Sequence, residues 1–197
     1  MYTKKVKPPM AEKTKRLYLH LYPHQIDTAA GRYHFEDRKE LFAQIYEQLI
    51  RRIDPVIYYE YNYPSRCFMT AAVTLGSGPD EMQDDFQANG QFSETYAVEC
   101  LCMELLNQSY RSVREFVRRE QRCNLDKMDF PEEEETGRLI RELQARWEDF
   151  PVRITDANAM LPSKTVVFRA KFGLQFGCSG GGSCASCQNP TCGYRNG

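Results

Sequence analysis

The chain has 197 residues, with 26 Lys and Arg balanced by 27 Asp and Glu, and it is 42% hydrophobic and 12% aromatic. That length and apolar content support one domain with a real core and exclude a globally disordered polymer, while the balanced charge removes the electrostatic case for a dedicated nucleic-acid binder. A mean hydropathy of −0.61, with no apolar run of about 18 residues, argues against a membrane-spanning helix, and the expected compartment is the cytoplasm.

Residues 1–25 read as a basic extension. Lys4, Lys5, Lys7, Lys13, Lys15 and Arg16 face only Glu12, Pro8 and Pro9 interrupt the segment, and no apolar region follows as a secretory signal requires. Within it, Leu17–Tyr22 alternates Leu with Tyr and His and predicts one short strand. Asp37 with Glu40 has the form of a capping box. Leu41, Phe42, Ile45, Leu49 and Ile53 then recur at helical spacing and predict an amphipathic helix over 38–53. Pro55 ends it, and Val56–Tyr63 is rich in β-formers. Cys67–Leu75 predicts a second strand, buried on both faces and closed by a tight turn at Gly76-Ser77-Gly78. Pro79 with Asp80 and Glu81 opens a short helix to about Asn89-Gly90.

A long helix is expected over Ser93–Arg119, with Val98, Leu101, Leu105, Val113, Phe116 and Val117 as its apolar stripe. Pro131 and the acidic run Glu132–Glu135 start a further helix whose buried face is Leu139, Ile140, Leu143 and Trp147; the acidic run itself complements the helix dipole on a solvated face. Val152–Thr155 forms a short strand, and Val166, Phe168, Ala170 and Phe172 alternate with Val167, Arg169 and Lys171 as another. Strands and helices come in runs without regular βαβ alternation, so the expected fold is α+β, an antiparallel or mixed sheet flanked by long helices. The body spans 26–176, and residues 177–197 form a Cys-rich tail.

Eight cysteines are present. In a reducing compartment they do not form a disulfide framework. Cys178, Cys184, Cys187 and Cys192 place four thiolates within fifteen residues, separated by Gly180-Gly181-Gly182, Ser183 and Pro190. Such a loop can wrap one soft metal, an iron–sulfur cluster or zinc, and the spacing does not choose between them. Cys100 and Cys102 lie two apart on a helix, point to different faces and read as core thiols; Cys67 and Cys123 read the same way. His20, His24 and His34 match no zinc-helix spacing, and Gly76-Ser77-Gly78 is a turn in preference to an anion site because Asp80 and Glu81 follow it. Glu99 and Glu104 are surface carboxylates or ligand contacts in a mostly apolar stretch. No nucleophile–base pair emerges.

Several segments carry a family likeness: Thr28-Ala29-Ala30-Gly31-Arg32-Tyr33, the strand–turn Ala71-Ala72-Val73-Thr74-Leu75-Gly76, the helix with Glu99 and Glu104, Asp129-Phe130-Pro131-Glu132, the run from Ile154 to Val166, and Cys184, Cys187 and Cys192 followed by Tyr194-Arg195. Their order, over roughly 28–195, resembles the activation domain of vitamin B12-dependent methionine synthase in the free-standing form of anaerobic bacteria. The resemblance implies an accessory factor for reductive methylation of a cobalamin-binding methyltransferase, with S-adenosylmethionine as the methyl donor, cobalamin supplied by the partner and an electron donor upstream. Arg122 and Glu104 are the implied donor-site residues, Arg122 by motif position and Glu104 by register. The family's R-x-x-x-G-Y segment corresponds here to Arg122–Lys127, where Asp126 and Lys127 replace glycine and tyrosine and so remove both the close backbone approach and the aromatic wall. The competing expectation is a non-catalytic partner-binding module whose four-cysteine tail holds structural zinc.

Overall fold

The structure is a computed structural model and describes residues 13–61, 68–121, 124–147 and 149–173. Thirteen elements follow in order: β1 (Lys13–Arg16), α1 (Pro23–Arg32), a 3-10 turn (Glu36–Arg38), α2 (Lys39–Leu49), β2 (Val56–Tyr61), β3 (Phe68–Thr74), α3 (Gly78–Ala88), α4 (Phe92–Gln121), β4 (Asn124–Asp129), α5 (Glu133–Gln144), β5 (Arg153–Ile154), β6 (Met160–Leu161) and β7 (Thr165–Gly173). Five strands form one sheet in the order β1-β2-β3-β7-β4, and every neighbouring pair is antiparallel. The fold is α+β. β5 and β6 make a separate two-stranded ribbon.

Strand alternation divides the core between the two faces of the sheet. Ile57 and Tyr59 of β2, Met69, Ala71 and Val73 of β3, Phe168 and Ala170 of β7, and Leu125 and Met128 of β4 join the side chains of α1 to α4 in the larger cluster. On the other face Ala72 and Val167 meet Leu139, Ile140, Leu143, Trp147 and Val152 in a smaller one. The buried face expected for the Pro131 helix is therefore the observed one.

That helix, α5, is also tied to the sheet at both ends. Near its N-terminus Glu135 accepts from Arg169 of β7 at 2.5 Å, and just past its C-terminus Arg146 pairs with Glu60 of β2. Acid at the start and base at the end also suit the helix dipole. The register sets Glu60 opposite Thr70, Thr70 opposite Arg169, and Arg169 opposite Asp129, so one polar row crosses the sheet beneath the helix.

The structure departs from the sequence expectations chiefly near the N-terminus. The strand expected over 17–22 lies instead at Lys13–Arg16, paired with β2. Leu17, Leu19 and Leu21 are nonetheless buried, because Gln108 of α4 hydrogen-bonds the His20 backbone twice, accepting from its N–H at 2.8 Å and donating to its carbonyl at 2.6 Å, while the Tyr46 hydroxyl accepts from Leu21 N–H at 2.7 Å. Side chains occupy the backbone groups that a neighbouring strand would use. Residues 13–25 thus belong to the packed body and not to a tail, and Pro23 opens a helix in which Ile26, Ala29 and Ala30 are buried.

Asp37 does not cap α2; it sits in the 3-10 turn, and the helix ends at Leu49, short of 53. The tight turn at 76–78 is present, with Gly76 at φ +83°. The strand β4 includes Asn124–Lys127 of the segment that corresponds to the R-x-x-x-G-Y motif, and Asn62, Tyr63 and Cys67 of the expected strands fall outside the described residues.

Candidate functional site

Glu104 lies on the inner half of α4, where Val98, Leu101, Leu105 and Val113 hold the helix against the sheet. Its carboxylate accepts from Arg32 at the end of α1 at 2.5 Å, with both side chains largely buried. Glu99, five residues earlier on α4, accepts from Lys164 at 2.5 Å and from the Gln83 amide of α3 at 3.2 Å. Lys164 is itself buried. The preceding Ser163 donates its N–H to Asp80 of α3 at 2.7 Å. Three segments far apart in the chain, α1, α3 and the loop before β7, therefore converge on α4 through charged hydrogen bonds, which are stronger than neutral ones. Glu99 and Glu104 are both ion-paired carboxylates.

The remaining donor-site residue, Arg122, lies outside the described residues, as do Cys178, Cys184, Cys187 and Cys192, and also Cys67 and Cys123. Asp126 and Lys127 are exposed on β4, with Lys127 tied to Asp129 at 2.5 Å. Among the described residues no group of three or more His, Cys, Asp or Glu is placed to hold a metal ion.

Cys100 and Cys102 are buried core thiols, as expected. Burial pushes Cys100 up to about 11 although the Tyr96 hydroxyl bonds to it. Burial pushes Cys102 up to about 12, against the opposing field of Lys164. Burial thus holds both thiols in the protonated form at neutral pH. Unfolding frees each thiol to ionise near 9.0. The stabilisation from keeping them protonated is intact below that pH and is lost as pH rises toward the folded values. The urea midpoint should accordingly fall above about pH 9, and fall less steeply in Cys102→Ala; an identical alkaline slope in the variant would refute the assignment.

A cleft of about 610 Å³ opens between the corner after β4 and α5. It brings together Phe130, Glu134, Arg138, Arg141 and Arg169. Sequence reasoning passed over it because Glu132–Glu135 read as uniformly solvated. Glu135 in fact lies between Arg169 and Arg138. The available signal was Glu134, Arg138 and Arg141 at helical spacing on one side of α5.

No protein-family model and no curated protein matches this chain.

Proposed function

We propose that the chain is a stand-alone accessory of a corrinoid-dependent methyltransferase, resembling the activation domain of cobalamin-dependent methionine synthase and supporting reductive reactivation of the partner's cobalamin. One observation carries the reading: Arg32, Glu104, Glu99 and Lys164, drawn from segments that bear the resemblance, meet as two ion pairs along one helix. Such pairing fixes the relative positions of α1, α4 and the loop before β7, which is what a rigid docking body requires.

The edge strand β4 supports a role in docking and electron delivery over one in donor binding, because exposed Asp126 and Lys127 supply no flat apolar wall for S-adenosylmethionine. In this proposal Cys178, Cys184, Cys187 and Cys192 hold the metal. An iron–sulfur cluster there would supply redox chemistry, and zinc would make the tail structural.

The test is anaerobic. A cobalamin-dependent methionine synthase lacking its own activation domain is placed in the cob(II)alamin state with reductant and S-adenosylmethionine, and recovery of methylcobalamin is followed by absorbance. Added chain should accelerate recovery, and Cys184→Ser should lose metal and acceleration together. No acceleration by the intact chain sinks the proposal, and acceleration by a metal-free variant sinks its redox part.

A further inference from the structure

The cleft beside α5 stands apart from the Arg32–Glu104 cluster, and its charges can be assigned one by one. Glu135 accepts from both Arg169 and Arg138, and Asp129 is held by Lys127. Arg141, Glu134 and Glu132, all three exposed, are left with no side-chain ion pair or hydrogen bond among the described residues. The Arg141 guanidinium runs back toward the helix start and lies over Gly137, with both terminal nitrogens 3.6 Å from the point a Cβ would occupy. Glycine inside a helix is disfavoured relative to alanine. Here it leaves the helix surface bare where the guanidinium rests at the cleft wall.

Phe130 completes the opposite wall. It is 45% exposed, yet its ring is fixed by Tyr110 at 5.3 Å and Phe168 at 6.0 Å between centroids. An anion alone would meet Arg141 but also the free carboxylates of Glu134 and Glu132, and a cation alone would meet those carboxylates but also the Arg141 guanidinium. A ligand carrying both charges a few ångströms apart satisfies both groups, and an apolar substituent on it would cover Phe130. The cleft volume falls within the range of small-molecule sites.

We infer that this cleft binds a small zwitterion, an α-amino acid with an apolar side chain, with its carboxylate on Arg141, its ammonium on Glu134 and its side chain against Phe130. Recognition needs both charges, so specificity comes from pairing otherwise unmatched groups of both signs.

Isothermal titration of the whole chain with L-phenylalanine, and separately with 3-phenylpropanoate and 2-phenylethylamine, tests this. The amino acid is expected to bind at least about tenfold more tightly than either single-charge analogue. Arg141→Ala and Glu134→Gln should each weaken it by a similar factor, while Glu47→Gln on α2 should leave it unchanged, with circular dichroism confirming that every variant is folded. Absence of binding at millimolar concentrations, equal binding of 3-phenylpropanoate, or insensitivity to both cleft substitutions overturns the inference. The outcome is independent of the reactivation assay.

Discussion

Gly78→Ala is expected to destabilise the chain by about 3 kcal/mol or more, lowering Tm by about 6–12 °C. A Cβ at Gly78 would lie 2.1 Å from the Arg52 carbonyl oxygen and 2.8 Å from its carbon. Those are backbone atoms, and they are pinned. Arg52 N–H donates to Leu49 at 2.9 Å, Ile53 N–H donates to the same carbonyl at 3.1 Å, and Asp54 N–H donates to Leu75 at 2.9 Å. Relief would require moving the turn after α2 away from the turn that starts α3, which carries Gly76 at φ +83° against Asp54. The contrast is Gly31→Ala on α1, where nothing lies within 4 Å; that change should be neutral or stabilise by up to about 1 kcal/mol. Thermal unfolding of both variants beside the parent reads the difference. A Gly78→Ala protein that melts with the parent would mean that the two turns are not pressed together.

Arg146→Ala should cost about 3 kcal/mol, the penalty of leaving a buried carboxylate without its cation. The Glu60 side chain is only 6% exposed. Its Oε2 already has no hydrogen-bond partner, so Arg146 on Oε1 supplies all its compensation. Replacing both partners with methionine should be far milder than Arg146→Ala, because the desolvation penalty disappears along with the attraction. Urea denaturation of Glu60→Met, Arg146→Met and the double variant gives the coupling directly; a value of at least about 2 kcal/mol is expected. A coupling near zero would show that the hydrophobic cluster around Leu139, Ile140 and Leu143 holds α5 unaided.

How much was legible in the sequence depended on whether a local period survived. α4 and α5 keep a helical period, while β2 and β3 stand out as runs of β-forming and apolar residues. β4 does neither, and its bulge gives the reason. The register shifts between Leu125 and Lys127, so the buried residues Leu125 and Met128 fall three apart instead of two and the strand signature is lost. Helix α1 was legible in principle from Pro23 and from Ile26, Ala29 and Ala30, but the basic residues before it coloured the whole stretch as an extension. At the site, Glu104 could be singled out along its own helix. Its partner Arg32 is 72 positions away, and no spacing rule reaches that far. The same holds for Glu99 with Lys164, which are 65 positions apart.

The position of β7 bears on how the protein is made. It is the last strand of the described sheet to be synthesised, yet it sits in the interior between β3 and β4. Until it emerges from the ribosome, the side of β3 that it will cover is an unpaired row of backbone donors and acceptors. Phe68–Thr74 contains no charged residue to discourage pairing with another nascent chain. Thr74 and Thr165, which end as buried hydrogen-bonded neighbours, are 91 positions apart. Translation of that interval is therefore the period in which crowded polysomes put the chain at greatest risk of aggregation, and closure of the sheet by β7 ends it.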